Sequence, residues 1–423
     1  MIGNNTLEYV ASGIPSSTFN ASYSLPYIDY MRYLLAIANK NPEHRFSFLF
    51  NAHMERSVGE RMYEFYKDDL MNIYSDSGGL QIITQGLEIS EEMKNKVYIT
   101  QGSYSNCAMS FDEIPVVELQ KTSLRMDHNS RFFDSNNYKE KARLSGINLN
   151  NQINKFKEMG SKCKPLMILQ GNDYETFVKW TDILYNEVSD DNKSLIGGIA
   201  MGSPAIGFGV LEDIQKIFYY TEISKKYPEL PKHLHILGVG SVSRLIPLIS
   251  FMKNGLLKDT HISYDSSTIS QAIIRGHVFL DKMTYIGSTR NPKWDLVYEE
   301  IKKEFPLFDI TTEEFYNFLT TPYTGRLSKI YNLEKTNEIQ TKSESTILSL
   351  SVINFIRLVT DTIHKEDVFL EQINPKMYNA ITNLCKISSP KEYFEWERIN
   401  SKYINSKKVK PLNSCIDILN FLN

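Results

Sequence analysis

The chain has 423 residues, 42% hydrophobic and 23% charged, which is enough apolar material for a large folded core and excludes a disordered or fibrous protein. Its 47 basic and 50 acidic residues leave a formal net charge of −3, so no nucleic-acid partner is announced; a local basic face within a neutral total stays compatible. The four cysteines, Cys107, Cys163, Cys385 and Cys415, are too scattered for metal-ligand pairs, which points to a reduced protein without a structural zinc. The opening MIGNNTLEYVASGIP lacks the basic start and apolar run of a signal peptide, and no stretch is long enough to span a bilayer. A cytoplasmic protein with no membrane association is expected.

Short β-rich apolar runs recur along the chain. In order they are RFSFLF (45 to 50), NIYS (72 to 75), AMSF (108 to 111), PLMILQ (165 to 170), SLIGGIAM (194 to 201), HLHILGV (233 to 239), HISY (261 to 264) and MTYIG (283 to 287). Between them lie helix-spaced segments such as ERSVGERMYEFYKDDLM, NDYETFVKWTDILYNEV and SVSRLIPLISFMKNG, the last with Gly255 at a C-cap position. Eight strands alternating with helices over residues 1–290 predict a parallel (β/α)8 TIM-like barrel; an open doubly wound sheet is the alternative.

The polar stretch 113–164 is long for one connection and predicts an insertion over the barrel mouth that leads into the next helix. Residues 291–423 read as a helical C-terminal region, through EEFYNFL, STILSLSVINFIRLVTDTIH, PKMYNAITNLC, PKEYFEWERINSKYI and SCIDILNFLN. No repeat or low-complexity tract is present.

Side chains at the carboxyl ends of barrel strands converge on one face, where such folds place their chemistry. Three of the eight expected strand ends carry an aspartate: Asp76 in YSDSGG, Asp112 in SFDE and Asp265 in SYDSST. Others end in Gln170-Gly171, in Gly197-Gly198 with Ala200 and Gly202 beyond, and in Gly238-Val239-Gly240. Turn chemistry accounts for single Asp and Gly residues, and Asp265 could be the N-cap of SSTISQAII. It accounts less well for three acids at one mouth. Paired carboxylates suit substitution at an acetal-like carbon, one attacking or stabilising the cationic centre and the other moving a proton. A carboxamide and backbone N–H groups can read a purine O6, while a further carboxylate accepts from N1 and N2.

Six segments, in order, resemble the motifs of the tRNA-guanine transglycosylase superfamily. SDSGGLQ (75 to 81) resembles DSGGFQ, SFDEIP (110 to 115) the FDE segment, and MILQGND (167 to 173) the VQGG strand. IGGIAMG (196 to 202) resembles GGLAVG, HILGVGS (235 to 241) resembles LMGVG, and SYDSST (263 to 268) stands at the nucleophile position. The resemblance implies Asp265 as nucleophile, forming a covalent glycosyl-enzyme, and Asp76 as general acid/base. It implies base binding by Asp112, Gln170, Ser77, Gly198 through its N–H, Ile199 and Leu237.

Departures from the family pattern are informative. Ile114 replaces the Cys after FDE, Asn172 the second glycine after VQG, and no CxCxxC follows residue 268; Ser351 stands where the zinc-ligating His is expected. The cysteine-poor tail and the DSST segment are most similar to the 7-deazaguanine DNA transglycosylases of bacteria and bacteriophages. The resemblance therefore implies a pentosyltransferase that exchanges guanine in DNA for a base of the 7-cyano-7-deazaguanine type. It implies no cofactor and no metal, a free 7-deazaguanine as co-substrate, a helicase-like or ATPase partner to open the duplex, and host cytoplasm if the gene is phage-borne. Exchange in tRNA, N-glycoside hydrolysis, and a non-catalytic nucleic-acid-binding homologue are the alternatives. Arg290, Lys293 and Arg326 are candidate phosphate contacts, followed by Lys329, Lys407, Lys408 and Lys410; each could equally be a solvated surface charge.

Overall fold

The computed structural model describes residues 6–13, 44–67, 71–79, 89–116, 133–202, 210–239, 244, 248, 251–252, 257, 259–267, 277–279, 283–285, 379–380, 383–384, 386–387 and 389–404. Eight parallel strands close into a barrel in chain order. They are β1 (Leu7–Ala11), β2 (His44–Asn51), β3 (Ile73–Asp76), β4 (Cys107–Met109), β5 (Lys164–Leu169), β6 (Gly198–Met201), β7 (His233–Ile236) and β8 (His261–Ser266). The helices are α1 (Arg56–Tyr66), α2 (Glu91–Tyr104), α3 (Tyr138–Met159), α4 (Tyr174–Glu187), the single turn α5 (Asp190–Lys193), α6 (Val210–Lys226) and, in the C-terminal region, α7 (Pro390–Ile404).

The expected eight strands and the barrel are present, but one strand was misplaced. MTYIG is not a barrel strand: β10 (Met283–Tyr285) pairs antiparallel with β9 (His277–Phe279) in a separate two-stranded sheet. The missing barrel strand is β1, within LEYVA, and it closes the ring by pairing Leu7 with Ile262 and Val10 with Asp265. Its alternation of apolar and polar residues is cut to five positions by flanking Asn, Thr and Ser, so it is weak in sequence. The ladder to β8 secures it in the fold. Asp76 is accordingly at the third strand end, not the second.

Strand alternation separates two cores. Leu7, Tyr9, Phe46, Phe48, Phe50, Met167, Leu169, Ile199, Met201, Ile236, Ile262 and Tyr264 face outward into a continuous buried layer beneath the helices. Their partners Val10, Tyr74, Cys107, Met109, Leu166, Ile168 and Ala200 face inward and fill one side of the barrel. The apolar runs in the strands are thus buried on both faces, as a parallel sheet requires.

Within the 113–164 stretch, α3 is the barrel helix that precedes β5; it ends at Gly160 in the left-handed region. Helix α4 starts at a capping box in which Asp173 accepts from Thr176 N at 2.8 Å, which satisfies a donor that the first turn leaves bare. In the C-terminal region, α7 docks on the barrel through Tyr393, whose ring stacks on Phe218 of α6 at 3.9 Å and 7°. Trp396 of the same helix donates from Nε1 to Ala380 O at 2.7 Å. The other C-terminal segments read as helices lie largely or wholly outside the described residues.

Candidate active site

Asp76 is the last residue of β3, paired with Asn51 of β2. The chain then turns through Ser77 and Gly78; Gly78 has φ 80°, and a Cβ there would lie 2.7 Å from Asn51 Oδ1, so glycine is required. Asp265 belongs to β8 itself, in register with Val10. That removes the helix N-cap as its reason for being there. Its Oδ1 accepts from Gly238 N at 2.9 Å and its Oδ2 from Ser12 Oγ at 3.5 Å. Gly238 is in turn gripped from its carbonyl by Arg244 Nη1 at 2.5 Å, and Arg244 forms a two-pronged pair with the buried Asp213.

Asp112 lies three residues past β4 and is buried; its Oδ2 accepts from Gln170 Nε2 at 2.7 Å. Gln170 Oε1 is buried with no hydrogen-bond partner. A buried carboxamide oxygen left bare costs about 1–3 kcal/mol, which a bound donor would recover. As arranged, the free amide atom is an acceptor. It suits an N–H of a ligand rather than the carbonyl O6 expected from sequence; transfer of a proton to Asp112 would let the amide turn and present its donor instead. Gln170 lies flat against Gly202, where a Cβ would fall 2.2 Å from its Nε2.

The acids differ in proton affinity. Burial first, then the Asp265 carboxylate, push Asp76 up to about 6, against the pull of the Gly78 and Ser77 N–H groups and of His235. Burial pushes Asp112 up to about 7; the Gln170 hydrogen bond opposes this and the charge on Asp76 adds to it. The site can therefore hold and release protons near neutral pH, which suits acid/base chemistry.

The strand positions set two of the expected base contacts, Gly198 and Ile199, apart from the acids. Gly198 opens β6 rather than ending it, so the glycine pair lies toward the amino ends of the strands, where Gly197 lines a recess of about 390 Å³. Ladder pairing of Met201 with Ile236, and of Ile236 with Tyr264, places the next residues, Gly202, Leu237 and Asp265, at one level. Gly198 is four residues, about 13 Å, below it. The Ile199 side chain points outward into the helix-covered layer. Leu237 packs on the inward-facing cluster below the mouth, and Ser77 is buried beside Gly79 with its Oγ accepting from Gly79 N at 3.4 Å. Arg290, Lys293, Arg326, Lys329, Lys407, Lys408 and Lys410 lie outside the described residues.

Comparison with protein-family models and with curated proteins gives no match. Among the described residues, no group of three or more His, Cys, Asp or Glu could hold a metal ion, and no helix is long and apolar enough to cross a membrane. Cys107 and Cys163 are free and buried.

The residues that sequence reasoning missed lie under the acids, on the polar side of the barrel interior. Glu8 Oε2 accepts from Tyr74 OH at 2.6 Å and is 2.8 Å from His261 Nε2; Oε1 accepts from Asn72 Nδ2 at 2.8 Å and from Ser47 Oγ. Burial alone would raise Glu8, but the hydrogen bond and charge of His261, with Ser47 and Tyr74, hold it at about 2. Burial, then His261, hold His233 well below the usual histidine range. The available signal was HLHI: two histidines at strand spacing inside an apolar run share one face, and in a closed barrel that face is the interior.

Proposed function

We propose that the chain exchanges guanine in DNA for a 7-deazaguanine base through a covalent aspartyl-glycosyl intermediate. The observation that carries this is the arrival of Asp76, Asp112 and Asp265 from three separate strands at one mouth, with Asp76 and Asp112 shifted into the range where protons move at neutral pH. The six collinear motifs supply the reaction class, and the lack of a CxCxxC segment after residue 268 favours DNA over tRNA.

In the first half-reaction a carboxylate oxygen of Asp265 attacks C1′ of the target nucleotide. The C1′–N9 bond breaks, its electron pair goes to the departing guanine, and Asp76 supplies the proton that neutralises it. Asp112 accepts from the base N1 and N2 hydrogens, which take over the stabilisation that water cannot give at that depth. In the second half-reaction the incoming base gives its N9 proton to Asp76, N9 attacks C1′, and Asp265 leaves as carboxylate. The target nucleotide must leave the base stack to reach this mouth, which costs a few kcal/mol in a duplex and less in single strands.

The test supplies the protein with DNA, tRNA and labelled 7-cyano-7-deazaguanine, followed by mass analysis of the nucleosides. Label in DNA alone is expected. Label in tRNA alone reverses the polymer and keeps the chemistry; free guanine with abasic sites indicates hydrolysis instead.

A further inference from the structure

Beneath Asp265 the polar side of the barrel forms one connected path of side chains. Ser263 Oγ is 2.8 Å from His233 Nε2 and 2.8 Å from His235 Nδ1. The His235 ring is fully buried and stacks on Tyr74 at 5.5 Å and 26°. Its Nε2 has no hydrogen-bond partner and lies 3.5 Å from Asp265 Oδ1. A buried ring nitrogen aimed at a carboxylate raises the question of which atom holds the proton.

The order of donors can be worked out from Glu8, which as an anion only accepts. Tyr74 gives its hydroxyl proton to Glu8, so its oxygen faces His233 Nε2, at 3.4 Å, as an acceptor. A bare His233 Nε2 would set its lone pair against that oxygen, so it bears the hydrogen and donates to Ser263 Oγ. Ser263 has a single proton and passes it on to His235 Nδ1. That leaves the His235 hydrogen on Nε2, facing Asp265. The reverse order would set two lone pairs against each other at His233 and Tyr74 and again at His235 and Asp265, with Tyr74 and both histidines buried.

We infer that His235 is a positioning residue for Asp265, locked by Ser263 as a donor at Nε2 and held flat by Tyr74. This rests on the reading of Asp265 as nucleophile. Two donors, Gly238 N–H and His235 Nε2–H, then address Oδ1, while Oδ2 has only the long contact from Ser12 Oγ at 3.5 Å and is the oxygen that attacks C1′. In the glycosyl ester, Oδ1 is the carbonyl oxygen. When N9 of the incoming base displaces Asp265, negative charge returns to Oδ1 and the 3.5 Å approach tightens into a charged hydrogen bond, so the donor helps most in the second half-reaction.

The experiment has two arms on the full chain. Ring ¹⁵N–¹H NMR, with the His235 signals assigned by their loss in H235Q, should show Nε2 protonated and Nδ1 bare, shifting in D265N and becoming mixed in S263A. Single-turnover exchange on a guanine-containing oligonucleotide should be about 10- to 100-fold slower in H235F, with KM for the incoming base little changed. H235Q, whose amide can donate from a similar place, should recover most of the rate.

A hydrogen on His235 Nδ1, or wild-type exchange rates in H235F, overturns the inference. Equal slowing in H235Q and H235F with matching losses of melting temperature also overturns it, since that is the mark of a packing role. If the wild-type chain exchanges no base while the Nε2–H signal still responds to D265N, the proposed reaction fails and the His235–Asp265 pairing stands.

Discussion

Replacing Asp112 by Asn should stabilise the protein at alkaline pH while removing the proposed base exchange. In the folded chain the Asp112 carboxyl holds its proton up to about 7 instead of the ordinary 3.8. Between those values the native state keeps a proton that the unfolded chain has released, so stability falls as pH rises through that window. Above pH 7 the whole penalty is present. At about 1.36 kcal/mol per pH unit it reaches up to about 4 kcal/mol.

Asn has the same shape, cannot ionise, and can still accept from Gln170 Nε2, so the penalty disappears and the hydrogen bond remains. Thermal melting of wild type and D112N at pH 4 and pH 8.5 measures the difference. The two proteins should melt within a degree or two of each other at pH 4. At pH 8.5 the variant should melt about 4–8 °C higher. Equal melting at pH 8.5 would refute the burial argument, because a carboxyl in contact with water has no penalty to lose.

Asp265→Asn should abolish the covalent adduct trapped with a guanine-containing oligonucleotide; adduct at the wild-type level on a denaturing gel would move the nucleophile elsewhere. Adduct formation with Asp76 as acid needs its proton, so the rate should fall about tenfold per pH unit above about 6, and a flat profile between pH 5 and 8 would exclude that role. Gly202→Ala places a Cβ against the Gln170 carboxamide and should raise KM for the incoming base tenfold or more, with far less effect on melting than on binding. Glu8 is held at about 2 against its ordinary 4.5, so its hydrogen-bonded carboxylate contributes stability that is full above pH 4.5 and lost as pH falls through 2. Glu8→Gln should therefore cost about 3 kcal/mol at pH 7, seen in chemical denaturation, and much less near pH 2.

The alternation of strands and helices was legible in local patterns, because the helix-covered face of every barrel strand is apolar and a barrel helix must show its stripe. The C-terminal helix Pro390–Ile404 coincides with PKEYFEWERINSKYI for the same reason. The three aspartates and Gln170 stood out because polar groups directly after apolar runs are conspicuous. Strand LEYVA did not stand out, since its Glu8 is satisfied by Ser47, Asn72, Tyr74 and His261, all at least 39 residues away.

Local sequence also left open which mouth each glycine faces. IGGIAMG reads the same whether its strand ends or begins at the glycine pair, and only the ladder to β5 and β7 places Gly198 low and Gly202 high. The shared environment of the acids is likewise tertiary. Asp76 and Asp112 take their proton affinities from burial and from carboxylates that other strands bring near, and a side chain's solvation is a property of its neighbours in space. The residue types capable of the chemistry, and the strands that carry them, were set by the sequence alone. The closing of the ring between β1 and β8 decided which of them meet, and it brought His235, Ser263 and Glu8 beneath Asp265.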